Sequence, residues 1–280
     1  MENITHSKGL IQQKGLHMTK AKSCIFFSFL NLIGYLGMVT VNGLANALPI
    51  NNKTTGELSD QYPNLFVPAG LTFAIWGVIY LLLAVFIIYQ FIVAFRKTAT
   101  PSSLLKKIWI LFFISSIANL GWIFAWHHER VLLSLLLMLI LLASLIGIYL
   151  RLGIGRSEAS RAEKYLVHLP FSIYLGWITI ATIANVTALL VSVGWNRFGL
   201  SQQFWTVLVI IVGIALAFIA LFHRKDIFYV LVVDWALLGI LLKRLAADAV
   251  PIGSIVIVTV VGMSLLTLGM IYQLIRRKVY

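Results

Sequence analysis

Six aromatic and amide side chains, Trp76, Tyr80, Asn119, Trp122, Trp177 and Asn185, stand inside apolar runs at spacings that place them on single helix faces. Ala181 joins them, four residues after Trp177 and four before Asn185. Indole faces offer dispersion and π contact to a flat apolar body, and a few amides can fix the polar groups at its rim. The chemistry these residues suit is noncovalent capture of a planar hydrophobic molecule, a tetrapyrrole or a sterol-like compound. His168, near the start of its helix, is the one histidine close to these faces. Axial ligation of haem iron is therefore not expected, and a metal-free porphyrin fits better than haem. No cofactor is required by this reading.

Two charged groups invite other chemistry. Asp234, beside Trp235, is the acidic residue that lies well inside an apolar run. A carboxylate at the centre of a membrane costs about 2.5 kcal/mol or more, so a proton or cation pathway is one reading of it. The other reading is a carboxylate near enough to Arg224, Lys225 and water to be solvated. His127-His128-Glu129-Arg130 holds metal-ligand types, but adjacent histidines on a tight turn do not readily converge on one ion. A solvated turn without metal is expected there. P-loop, HExxH, GxSxG and CxxCH patterns are all missing from the sequence, which favours binding over conventional catalysis.

These residues need helices to hold them, and composition says which kind. Hydrophobic residues make up 60% of the 280 and charged ones 11%, too little polar surface to cover a water-soluble globule. The chain reads as an all-α polytopic membrane protein. About 20 apolar residues span a bilayer, and runs of that order fall at 23–48, 67–95, 105–126, 131–150, 166–193, 201–222, 227–242 and 251–275, about eight transmembrane helices. The seventh is the weakest, being short and holding Asp234 before Lys243 and Arg244. Residues 1–22 read as a cytoplasmic polar tail, within which Met18 would also make a start. Residues 23–193 read as a five-helix unit, and 194–280 as three further helices with a basic C-terminal tail.

Basic residues alternate between loops. Seventeen fall in the N-terminal tail, the loops near Arg96, Arg151 and Arg224, and the C-terminal tail, against five at Lys53, Arg130, Arg197, Lys243 and Arg244. This is the positive-inside pattern, so the net charge of +13 reports topology rather than nucleic-acid binding. It places both termini in the cytoplasm, with a bacterial cytoplasmic membrane the expected location. One cysteine, Cys24, excludes an intrachain disulfide. The polar loop 49–66 connects the first two helices by turns and could cap whatever lies between them.

Polar stripes show which helix faces turn inward, since lipid and protein interior are equally apolar. Asn31, Tyr35, Met38, Asn42 and Asn46 form one, Thr72, Trp76 and Tyr80 a second, Ser115, Asn119, Trp122 and Trp126 a third, and Trp177, Ala181 and Asn185 a fourth. The four faces are expected to meet. The amides in them could equally serve as interhelical hydrogen-bond partners. Trp109, Trp195 and Trp205, nearer helix ends, fit the aromatic belt at the headgroups.

Three of these segments carry a family resemblance. Pro68-Ala69-Gly70-Leu71-Thr72-Phe73-Ala74-Ile75-Trp76-Gly77-Val78-Ile79-Tyr80 resembles the second-helix opening of the TspO/MBR family, the tryptophan-rich sensory proteins related to the mitochondrial translocator. Asn119-Leu120-Gly121-Trp122 resembles its third-helix motif, and Pro170 followed by Trp177, Ala181 and Asn185 its fifth. The resemblance spans roughly 23–193. It implies a five-helix bundle whose pocket, closed by the loop after the first helix, takes porphyrins or sterols, lined here by Trp76, Asn119, Trp122, Trp177, Ala181 and Asn185. For some bacterial members it also implies light-dependent porphyrin breakdown involving the tryptophans matched by Trp76 and Trp177. Gln61-Tyr62-Pro63 stands where the family has Trp-Tyr, and three extra helices follow.

The leading expectation is a TspO-like membrane protein that binds a planar hydrophobic ligand in a sensing, trafficking or regulatory role. Its expected partners are membrane lipids and that ligand, with a homodimer as a possible assembly and no nucleic acid. The alternatives are a secondary transporter coupled to protons or cations through Asp234, and a light-dependent porphyrin-degrading activity.

Overall fold

The computed structural model describes residues 2–48, 50–95, 103–246 and 252–276, with the side chains of 2–22 and 103–107 outside that description. Arg96, Lys97, Arg277 and Lys278 of the charge pattern lie outside the described residues. Among the described residues the regular structure is helical throughout. Eight long helices follow one another: α1 (Glu2–Ala47), α2 (Ile75–Phe95), α3 (Ser103–His127), α4 (Val131–Leu152), α5 (Leu169–Ser192), α6 (Gln202–Arg224), α7 (Ile227–Arg244) and α8 (Gly253–Ile275). α1 runs without a break through the polar residues that precede Ser23.

Seven of these are long and apolar enough to cross a membrane. The exception is α7, whose 18 residues include Asp234, Lys243 and Arg244. At 1.5 Å per residue it is ~27 Å long, and its two ends meet opposite ends of the bundle. Asp226 at its start accepts from Tyr149 of α4, while Lys243 in its last turn pairs with Asp60 of the loop between α1 and α2. It therefore runs the full height of its neighbours despite its charges.

Local signals fix the helix ends. Ser201 and Asp226 cap α6 and α7 by accepting from backbone N–H groups two or three residues on. α4 ends at Gly153, whose φ of 65° is the left-handed conformation glycine adopts without strain. A helical turn, Arg161–Glu163, and a π-helical turn, Lys164–His168, lead directly into α5.

Small residues set the helix spacing, as packing in lipid requires. An added Cβ would lie 3.1 Å from Phe113 at Gly34, 3.3 Å from Leu120 at Gly37 and 3.1 Å from the Tyr229 carbonyl at Gly176. Gly262 and Gly269 of α8 seat Ile214 and Leu221 of α6 in the same way. Phe86, Phe112 and Phe171 join α2, α3 and α5 in a ring cluster with centroids 5.0–5.8 Å apart. At the far end from the loop, buried Asp226 accepts hydrogen bonds from the Ser172 hydroxyl at 2.7 Å, the Tyr149 hydroxyl at 2.9 Å and the backbone N–H groups of Phe228 and Tyr229. Burial pushes its carboxyl above the usual carboxylate range, and these donors oppose the rise. The last three helices are thus bolted to α4 and α5 at this end.

Candidate functional site

The four polar stripes do meet. Asn31 donates to Gln90 of α2 at 3.1 Å, Tyr35 donates to the Tyr80 carbonyl at 2.9 Å, and Asn42 donates to Asn119 of α3 at 2.8 Å. Asn119 in turn donates to the Tyr174 hydroxyl at 3.0 Å. Asn185 and Ser134 exchange hydrogen bonds between α5 and α4 at 3.0 and 3.3 Å. The amides of Asn119 and Asn185 are therefore committed to joining helices, the second of the two roles open to them from sequence.

The tryptophans are arranged differently. The Trp76 ring stacks on Tyr80 at 5.5 Å and stands edge-on to Trp177 at 6.1 Å. Trp122 lies 5.9 Å from Trp76 and stacks on Trp126 at 6.3 Å. Phe73 completes the group, edge-on to Trp177 at 5.9 Å. These rings surround a small cavity of about 40 Å³ between α2, α3, α5 and the loop. Of the residues singled out from sequence, Trp76, Trp122, Trp177, Ala181 and Asn185 line it. Tyr80 supports Trp76 from one side, and Asn119 sits in its hydrogen-bonded chain without reaching the cavity lining. His168 is buried at the start of α5 and does not line it either.

The indole N–H groups of Trp122 and Trp177 are buried without a hydrogen-bond partner among the described residues. By contrast, Trp126 donates to the Thr55 carbonyl at 3.3 Å and Trp235 to the Thr72 carbonyl at 2.9 Å. A buried unpaired donor forfeits about 1–3 kcal/mol of hydration. Both rings line the cavity, but neither N–H is open to its space.

The loop above the cavity is more than connecting turns. Thr54 caps a short helix, Thr55–Asp60, in a reciprocal capping box with Glu57. The Thr54 backbone N–H and hydroxyl hold the Glu57 carboxyl below its usual range. Thr55 and Ser59 line the cavity from above, making this helix a lid. His127, expected in a solvated turn, is instead fully buried: Nε2 lies 3.2 Å from the Thr55 hydroxyl and Nδ1 3.0 Å from the Ile50 carbonyl. Lys53 pairs with Glu129 at 3.0 Å, and Tyr62 packs on Trp126 with centroids 5.6 Å apart. Burial raises the Tyr62 phenol.

The later helices hold the other side of the lid and the turn that leads to Trp76. Gln202 of α6 donates to the Pro63 carbonyl at 3.3 Å, and Lys243 of α7 pairs with Asp60. Residues Gly70–Ala74 form a 3₁₀ turn before α2, so Thr72 does not continue the α-helical stripe of Trp76 and Tyr80. That turn rests on α7, where the Ala69 N–H donates to the Gly239 carbonyl at 2.9 Å and Thr72 packs against Gly239 itself. Asp234 faces the other way. Thr267 of α8 donates to one carboxylate oxygen at 3.4 Å, and the other oxygen has no partner among the described residues.

No curated protein and no solved structure matches the chain. The sequence profile of a family described as TSPO-like protein matches residues 28–272, past the five helices whose motifs carry the resemblance and through α6, α7 and most of α8. That match covers the tryptophan cavity, its lid and the helices that hold them, and the chain belongs to this TSPO-like family of membrane proteins.

Proposed function

We propose that this protein binds a planar hydrophobic ligand, a metal-free tetrapyrrole first among candidates, between the lid and the ring group of Trp76, Trp122 and Trp177, in a sensing, trafficking or regulatory role. The observation that carries the reading is the meeting of Trp76, Trp122 and Trp177 around one cavity beneath the lid. Their ring faces would supply dispersion and π contact to a planar ligand. A cavity of about 40 Å³ is far below the ~300–1,000 Å³ typical of small-molecule sites. Ligand entry therefore requires the lid helix to lift, and Ala181 and Ala184 leave room on the α5 wall once it does.

The test is quenching of tryptophan fluorescence by protoporphyrin in detergent, beside the Trp76→Phe/Trp177→Phe double variant. Saturable quenching at micromolar ligand, weakened at least tenfold in the variant, is the expected result. Non-saturating quenching equal in both proteins reduces it to partitioning into micelles and removes the reading. Light-dependent product formation lost in Trp177→Phe would add porphyrin breakdown to binding.

A second reading, ion- or proton-coupled transport, is favoured by the unpartnered carboxylate oxygen of Asp234 at the α7/α8 contact. It predicts coupled uptake into vesicles that Asp234→Asn abolishes and that the tryptophan variants leave intact.

A further inference from the structure

A much larger space lies beside the tryptophan cavity. Between α5 and α6, at the lid end, a cleft of about 540 Å³ is walled by Ile183, Val186 and Leu190 on one helix and Val209 on the other. That volume falls in the range of ~300–1,000 Å³ typical of small-molecule sites. The hydroxyls along the cleft are spent within their own helices. Thr182 donates to the Ile178 carbonyl at 2.7 Å, Thr187 to Ala184 at 2.8 Å and Thr206 to Gln202 at 2.9 Å. The walls are therefore apolar in effect and suited to a hydrocarbon chain.

The mouth has the opposite character. Trp195 and Trp205 meet edge to face at 4.9 Å, with Phe198 and Phe204 beside them, an aromatic cluster of the kind that sits at the headgroup level of a bilayer. Trp205 donates to the Arg197 carbonyl at 2.9 Å, holding a turn in which Arg197 and Phe198 take left-handed φ values of 58° and 52°. Non-glycine residues rarely adopt that conformation, and it persists where surrounding contacts over-determine it. The turn places Arg197 in the cleft lining with no acidic residue in that lining and no ion pair among the described residues. Among the described residues, the acids near this end are already engaged, Asp60 with Lys243, Glu129 with Lys53 and Glu57 with Thr54.

We propose that the α5/α6 cleft binds one anionic amphiphile, its hydrocarbon chain between the two helices and its anionic group at Arg197. The shared chemistry is an acyl chain ending in an anion, supplied either by an acidic phospholipid or by a free fatty acid. Among the described residues the cleft lining holds one cation and no anion, which selects against a zwitterionic headgroup, whose ammonium would find no partner in it. The site shares no lining residue with the tryptophan cavity, and the proposal stands whether or not a tetrapyrrole is the ligand there.

Native mass spectrometry of the full-length protein tests this, titrating dioleoyl phosphatidylglycerol, dioleoyl phosphatidylcholine and oleate in parallel. The expected result is one equivalent of phosphatidylglycerol bound at least tenfold more tightly than phosphatidylcholine. Oleate binding as tightly assigns the site to a single anionic chain, and oleate failing to bind assigns it to a phospholipid. Arg197→Gln, on an exposed turn, should lower the phosphatidylglycerol affinity to that of phosphatidylcholine. Val209→Phe, which narrows the cleft, should lower both, and neither change should alter protoporphyrin quenching when no lipid is added. Equal affinity for the two phospholipids in the wild-type protein, or a preference unchanged by Arg197→Gln, overturns the proposal.

Discussion

Replacing Gly239 by alanine should damage both stability and ligand binding, although alanine is the better helix former. A Cβ at Gly239 would come against the Thr72 hydroxyl, 2.8 Å from its methyl and 2.9 Å from its Cβ. Rotating the Thr72 side chain exchanges hydroxyl and methyl but leaves its Cβ in place. Ordinary contact begins near 3.4 Å, so the two backbones must part by about half an ångström. Overpacking of this kind costs about 1–3 kcal/mol, and parting also stretches the Ala69 to Gly239 and Trp235 to Thr72 hydrogen bonds. Alanine returns up to ~1 kcal/mol in helix propensity, leaving a net loss of ~1–2 kcal/mol. The displaced segment leads directly to Trp76, so protoporphyrin affinity should fall with stability, by about tenfold for each 1.4 kcal/mol that reaches the site. Detergent-micelle unfolding followed by tryptophan fluorescence and the quenching titration read the two effects. Gly77→Ala, where an added Cβ meets nothing within 4 Å, is the control expected to stabilise by up to ~1 kcal/mol. Thr72→Gly in the Gly239→Ala background moves the missing methyl across the interface and should restore most of the loss. A neutral or stabilising Gly239→Ala would refute the claim that α7 sets the position of Trp76.

Asp226→Ala should cost about 3 kcal/mol or more, because four donors lose a buried acceptor. Asp226→Asn keeps the shape and should be far milder. Since burial raises the folded carboxyl, its contribution to stability is fully present below the unfolded value of ~3.9 and is lost as pH rises through the folded value. Asp226→Asn should flatten that part of the pH profile of unfolding. Lys243→Ala breaks a partly exposed ion pair and should change stability by less than ~1 kcal/mol, yet speed protoporphyrin association in stopped flow by loosening the lid. Asn119→Ala should cost ~1–3 kcal/mol for its two interhelical hydrogen bonds while lowering ligand affinity less than Trp177→Phe does.

The helices were legible because hydrocarbon forces the backbone to satisfy itself within each span, and apolar runs long enough to do so stand out. α7 was the weak reading because Asp234, Lys243 and Arg244 dilute its run, and its height shows only through contacts at its two ends. The inward faces were legible from helical spacing alone, and Asn42 and Asn119 do meet across α1 and α3. What they do there was open, since an amide facing inward has the same spacing whether its partner is another helix or a ligand. The lid had a local signal that spacing arguments passed over: Thr54-Thr55-Gly56-Glu57 is a capping-box sequence, and it starts the helix that roofs the cavity. Burial of His127 had no such signal, because it depends on Ile50 and Thr55, more than seventy residues away.

The three helices beyond α5 change how ligand binding would work. In a five-helix bundle the lid could lift against contacts from α3 alone, here the links of Asn51, Lys53 and Thr55 to His127, Glu129 and Trp126. In this chain α6 and α7 hold the same lid through Gln202 and Lys243, and α7 also carries the turn below it through Gly239 and Trp235. Opening a cavity of about 40 Å³ enough for a tetrapyrrole must therefore disturb contacts on both sides of the loop. Breaking those contacts subtracts from ligand affinity, and linkage makes the effect reciprocal, so a bound ligand loosens the α6 and α7 ends by the same free energy. An amphiphile seated between α5 and α6 shares Pro63, Asn64 and Gln202 with the lid's anchor, so its occupancy and that of the tryptophan cavity should be coupled. Titrating protoporphyrin with and without saturating phosphatidylglycerol measures that coupling, and an affinity unchanged to within twofold would show that the two sites open independently.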